Sequence, residues 1–261
     1  MKSTRWMPSL VLVALVSSQC REIGPPPGQP DAWRPPSQRA DAPRYVSTTT
    51  TTTVTRSAVA PAMMSREINL KVDMVAKGTH GRRVVRPMTP RYITIHSTQN
   101  FTAGAERHSL ALKRGALRSR KSKSGNRIGY LIWHFTVDDS VAIQHMPTSE
   151  QGEHADFDGP GNRYSIGIEM CEHRGCDRAK TIDRTAKLTA LMMVRHNIPL
   201  KNVVPHYHWP RKGKNPAHKN CPHFLLDHGR PGAKWRKFLA QVEYHHKRLV
   251  TPQQQNYVVA R

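Results

Sequence analysis

No stretch of about 20 consecutive apolar residues, the length a membrane-spanning helix needs, occurs in this chain. Acidic residues are few: 18 Asp and Glu face 41 Lys and Arg, a formal net charge of +23. That imbalance favours polyanionic partners, whether nucleic acid or an envelope polymer. No nucleic-acid recognition motif has the required spacing, so nucleic acid is not the expected partner. Cysteine is sparse as well, with four in 261 residues. Only Cys171 and Cys176 lie close together in sequence, and a closed structural zinc module, with four ligands and tight cysteine pairs, is not what this pattern describes.

What is present begins with Lys2 and Arg5 ahead of an apolar run from Met7 to Val16 and the small residues Ser17 and Ser18, the pattern of an export signal over residues 1–20. The chain is therefore expected to be exported, to a periplasm or cell envelope. Cys20 follows at once and is a candidate for a lipid anchor, although Gln19 stands where a small residue is expected before such a cysteine. Residues 21–62, with GPPPGQP, RPPSQR and the Thr48 to Thr53 run, have the composition of a disordered linker. With about 100 to 200 residues to a typical domain, the rest makes one folded domain over 63–250 and a short tail over 251–261.

Within that domain, Arg91 to Ser97 (RYITIHS) is rich in β-branched residues and reads as a buried strand. LIWHFTVDD and VAIQHM read as a hairpin turning at Asp139 and Ser140, and SIGIEMC from Ser165 as a further strand. Helices are expected over Gly104 to Leu117, Asp177 to Asn197 and Ala233 to Leu249. The second has Asp177 as its cap and Ala179, Ile182, Ala186, Leu188, Leu191 and Met192 turned inward; the third turns Trp235, Phe238, Leu239 and Val242 inward. The fold class is α/β, a single domain with a central mixed sheet flanked by helices and preceded by a disordered tail. Arg118 to Arg127 is a basic loop, and GEHADFDGPGNR is a surface loop suited to lining a groove.

Fifteen histidines are present, and most need no special task. His96 closes the first buried strand; taken alone, such a histidine is more often structural. The segment VVPHYHWPRKGKNPAHKNCPHF changes the balance, because it gathers His206, His208, His218, Cys221 and His223 in one Pro- and Gly-broken loop. Imidazole and thiolate are the donors zinc prefers, and three protein ligands leave the fourth position open, as catalytic zinc requires.

The ordered motifs PRYITIHST, WHFTVDD with IQHMP, GPGNRYSIGIEMCE, IPLKNVVPHYHW and KNCPHFLL resemble the zinc N-acetylmuramoyl-L-alanine amidases related to phage amidase lysozymes and peptidoglycan-recognition proteins, over about Ile68 to Leu249. The resemblance implies an amidase-like fold, a Zn2+ cofactor held by His96, His206 and Cys221, and cleavage of the bond between N-acetylmuramic acid and L-alanine. Its implied partners are peptidoglycan or muropeptides, with anionic envelope polymers drawn to the basic surface. The insert around PRKGKNPAH lengthens the loop after His206, so His208 and His218 stay open as alternatives to it.

The resemblance also implies that Glu169 is the catalytic carboxylate and that Lys219, two residues before Cys221, steadies developing negative charge. Trp133 stands where phage-type members carry a catalytic tyrosine. With His134 and His154 it is expected to bind substrate. Cys171 and Cys176 bracket EHRG closely enough for a disulfide. A family member without catalysis, binding peptidoglycan only, is the competing expectation.

Overall fold

The structure is a computed structural model, and it describes residues 59–119 and 128–249. The expected export signal, Cys20, most of the linker, most of the basic loop from Arg118 to Arg127 and the C-terminal tail lie outside the described residues.

Five α-helices and six strands are described, besides short 3-10 turns: α1 (Pro61–Glu67), β1 (Leu70–Val72), β2 (Tyr92–Ser97), α2 (Ala105–Lys113), β3 (Phe135–Val137), β4 (Ala142–Gln144), α3 (Pro160–Tyr164), β5 (Ser165–Met170), α4 (Arg178–His196), β6 (Val203–Pro205) and α5 (Ala233–Arg248). They form one six-stranded sheet in the order β1-β4-β3-β5-β2-β6. Only β3 and β4 run antiparallel, as the hairpin; every other pair is parallel, so the sheet is mixed.

The β2 and β5 sequences explain why they sit at the centre. Their register pairs Ile93 with Ile166 and Ile95 with Ile168 on one face, and Thr94 with Gly167 and His96 with Glu169 on the other. Alternation thus makes one face apolar apart from Ser97 at the end of β2. That face packs on α4 and α5, where Ala186, Leu188, Leu191, Trp235, Phe238 and Val242 are buried against it. Burial of this area at about 25 cal/mol per Å² is what holds the helices to the sheet.

Helix α4 starts where Asp177 accepts a hydrogen bond from the Lys180 backbone N–H at 3.1 Å, and it ends at Asn197 in the left-handed region, φ 50°. Its inward stripe differs from expectation: Ala179 is exposed, while Thr181, Thr185 and Thr189 are buried. Each threonine hydroxyl donates to the carbonyl four residues before it, at 2.8–3.0 Å, so a polar side chain enters the core with its hydrogen bond made. Helix α1 begins at Pro61, inside the segment expected to be linker, and Val59 pairs with Leu249. Pro61 fits as the first helical residue because its missing N–H has no partner to lose there.

A smaller apolar cluster, Val75, Leu112, Ile128, Ile132, Trp133 and Met146, forms separately from this main core.

Candidate active site

Because β2, β5 and β6 are parallel, their C-terminal ends lie at one edge of the sheet, the place where α/β folds put their functional side chains. His96 and Glu169 are register partners there, and His206 opens the turn directly after β6. Cys221 arrives from the loop that follows, fixed by the Ser97 backbone N–H, which donates to its sulfur at 3.3 Å. His96, His206 and Cys221 are all buried, and one donor atom from each lies within 4.8 Å of the others.

Hydrogen bonds choose the tautomer of both imidazoles. A carbonyl only accepts, so His206 Nε2–H donates to Ala155 O at 3.0 Å. Its Nδ1 is buried with no hydrogen-bond partner and keeps its lone pair. His154 donates through Nε2 to Ser165 O at 3.4 Å, which makes its Nδ1 the acceptor of His96 Nε2–H at 3.0 Å. His96 Nδ1 is then also left with a lone pair, 3.7 Å from Glu169 Oε1.

Electrostatics act in the same direction. Burial holds His96 well below the ordinary histidine value, helped by His206, His154 and Lys219, and it lowers His206 to about 3. Both rings are neutral, which is the ligating form. Burial pushes the Cys221 thiol up to about 12. It also raises Glu169 to about 7 against the opposing pull of Lys219, and Glu169 Oε2 is buried without a hydrogen-bond partner.

A cavity of about 120 Å³ adjoins the cluster, walled by His154, Phe157, Asn162, His206, Arg211 and Lys219 among others. Three of these walls, Phe157, Asn162 and Arg211, were not among the expected site residues. Asn162 pins the GEHAD loop, accepting from the backbone N–H groups of His154 and Ala155 at 2.9 and 2.8 Å. Its position in GPGNR, a Gly- and Pro-broken loop entering a strand, was the available signal. Arg211 lies in the insert, and no local signal distinguishes it from its basic neighbours.

The other expected residues separate. His208 and His218 are exposed; His218 stacks on Tyr207 and bonds Tyr207 O at 2.7 Å, so neither joins the cluster. Trp133 is a correction: it is 6% exposed in the smaller apolar cluster, with its Nε1–H donated to Thr136 Oγ1 at 2.7 Å. His134 is a second correction. It is fully buried, donates through Nε2 to Glu150 O at 2.8 Å and accepts from Gly167 N–H at 2.9 Å, so both ring nitrogens are consumed by the scaffold. Neither residue presents a polar group to a ligand. His154 does line the cavity, but its ring also buttresses His96. Cys171 and Cys176 are free thiols.

A mixed sheet with a His, His and Cys donor set at its strand ends, beside a carboxylate and a lysine, defines an α/β domain with a candidate metal centre. The chain belongs to the N-acetylmuramoyl-L-alanine amidase family, whose profile matches residues 86–224. It is 40% identical over 161 residues to the N-acetylmuramoyl-L-alanine amidase XlyA of Bacillus subtilis, covering 61% of this chain and 48% of that protein. It is also 40% identical over 174 residues to the amidase CwlH of the same organism, covering 66% and 60% respectively. The chain thus spans only about half to three fifths of these relatives' own length. The solved catalytic domain of XlyA aligns with a TM-score of 0.53 and 39% identity, covering 67% of this chain and 99% of that domain.

Proposed function

We propose that this chain hydrolyses the amide bond between N-acetylmuramic acid and L-alanine in peptidoglycan, with zinc held by His96, His206 and Cys221. The observation that carries the reading is the pair of imidazoles whose hydrogen bonds leave both Nδ1 lone pairs beside a buried thiol. Two nitrogens and a sulfur are donors zinc favours, and the orphaned His206 Nδ1 is the kind of buried atom a cation satisfies. When bound, zinc supplies Lewis acidity toward the amide carbonyl and a nucleophile at neutral pH.

The protein's own groups do the rest. Glu169, raised to about 7, is poised to take a proton from the attacking water and return it to the leaving amine nitrogen. Its unpartnered Oε2 is the atom free to do so. Lys219, on the cavity wall, supplies a fixed positive charge where the carbonyl oxygen becomes negative. Arg211 and Lys219 make the cavity attractive to an anionic substrate, which the carboxylates of a stem peptide provide.

The decisive assay incubates the protein with murein, with and without a chelator. Release of stem peptides with free L-alanine amino termini, abolished by chelator, is expected. Release of sugar fragments only, or no release with zinc bound, overturns the reading; binding without release supports the non-catalytic alternative. Cys221→Ala should lose bound zinc by elemental analysis, and full retention refutes this ligand set. The same reading sends the chain to the cell envelope, where its basic surface meets anionic polymers. Lipid labelling of the wild type against Cys20→Ala tests an anchor at that cysteine.

A further inference from the structure

Away from the candidate active site, a second group of unlike donors converges. Asp139 lies in the β3–β4 turn, and His173 and Cys176 lie in the loop between β5 and α4. One donor atom from each lies within 4.8 Å of the others, the same closeness the His96 cluster shows, but all three residues are only half-buried. We propose that Asp139, His173 and Cys176 form a second site for a divalent transition-metal ion of zinc's class, bridging the β3–β4 turn to the loop that leads into α4.

Several features support a site rather than a chance meeting. The Nδ1 atom of His173 is buried with no hydrogen-bond partner, an uncompensated cost that a ligand removes. His173 also forms part of the wall of a cavity of about 420 Å³, shared with Gly104, Asp138 and Ser140, and Asp139 and Cys176 are half-buried rather than sealed in the core. Gly104 keeps the ring's place open, since a Cβ there would stand 3.2 Å from His173 Cε1.

The backbone around the donors is fixed before any ion arrives. Asp138 Oδ1 accepts from Ser140 N–H, Ser140 Oγ–H and Val141 N–H at 2.8–2.9 Å, and its Oδ2 accepts from Ala105 N–H at 2.9 Å. Arg184 donates to Asp138 O at 3.1 Å and to Asp139 O at 2.9 Å. Asp139 Oδ2 accepts the Asp177 N–H at 3.0 Å, tying the turn to the helix cap.

The donor types select the ion. A carboxylate, an imidazole and a thiol suit zinc or a neighbouring transition metal, whereas calcium and magnesium take oxygen donors almost exclusively. Binding releases the Cys176 thiol proton to solvent and leaves a thiolate, so carboxylate and thiolate together balance a divalent charge. The Cys176 S–H donates to the Thr181 hydroxyl oxygen 3.2 Å away, whose own proton goes to Asp177 O; once the thiol ionises, that hydroxyl turns from Asp177 O to donate to the thiolate. Oxidation of Cys176 with Cys171 would compete for the same sulfur; both are free thiols here.

The test uses the full chain, reduced and stripped of metal, with zinc as the probe. Alkylation of Cys176 is followed by mass spectrometry with and without zinc, and protection of at least about tenfold is expected, because metal-held sulfur is a poor nucleophile. His173→Ala and Asp139→Asn should abolish or weaken that protection and lower the zinc content from two equivalents to one. His206→Ala should leave protection of Cys176 intact. An alkylation rate that zinc does not change overturns the site, and this measurement needs no variant. Protection that survives His173→Ala, or that vanishes in His206→Ala, overturns it equally. Since the readout is local to Cys176, failure here leaves the His96 ligand set untouched.

Discussion

The two faces of the central sheet come from alternate residues of the same two strands, yet different forces hold them. On the helix side, Ile93, Ile95, Ile166 and Ile168 are fully buried and meet α4 and α5 through non-directional apolar contact. On the other side, Thr94 Oγ1 meets Ser165 Oγ at 2.7 Å and accepts the Trp209 Nε1–H at 2.9 Å, His96 leans on His154, and Glu169 stands against His96. The first face supplies stability and tolerates volume-conserving change. The second fixes orientation, because the hydrogen bonds on it have a direction and a chosen proton.

If the faces divide labour this way, substitutions should separate rate from stability. The largest effect is expected from Glu169→Gln, which should lower amide hydrolysis by about a thousandfold, the scale of a lost general acid–base group. Its urea midpoint should not fall, since the native fold raises this carboxyl's pKa and at neutral pH is relieved of an ionisation cost. A large loss of stability would break the comparison. Ile168→Ala reverses the pattern: about 3 kcal/mol of stability is lost to a cavity, with turnover per folded molecule nearly unchanged. Equal losses in both would show that the faces are not separable.

The third test concerns pH. His134 titrates at about 4 in the fold, below the ordinary 6.5, because it is buried. The unfolded chain therefore takes up the proton first as pH falls. The stability His134 contributes is complete above pH 6.5 and is lost toward pH 4, by up to about 3 kcal/mol. Urea titrations across this range should show the slope, and His134→Gln should flatten part of it. His145, lowered to about 3 by burial, should supply a slope that survives the variant. The smallest effect is expected from Thr94→Val. It strands the Trp209 N–H and should cost about 2 kcal/mol, read as a lower melting temperature.

Much of this was legible in the sequence wherever one segment carries its own instruction. RYITIHS announces a buried strand by its β-branched run, and the Asp177 cap and the Ala233 helix follow from local pattern. His96, His206 and Cys221 stood out because a strand-end histidine and a Cys- and His-rich loop are unusual, and the structure brings the three together. What stayed hidden depends on partners far along the chain. Nothing near Trp133 or His134 reveals that Thr136, Gly167 and Glu150 will use their polar atoms. The role of His154 as a brace for His96 joins residues 58 positions apart, and only the folded sheet shows it. Helix α1 escaped because Pro61 looks like linker until it is seen as the first residue of a helix.

The three donors differ in their freedom to move. His96 lies on a strand bonded on both sides, by β5 and β6, so its backbone amides should exchange with solvent only when the whole sheet opens. His206 and Cys221 are buried too, but they sit in a single 3-10 turn and a loop on either side of an exposed insert, outside the sheet. A cation held by the three would therefore be surrendered from the loop side, through local opening around 206–221, while the strand side stayed folded. Its residence time would be set by that loop rather than by the stability of the fold.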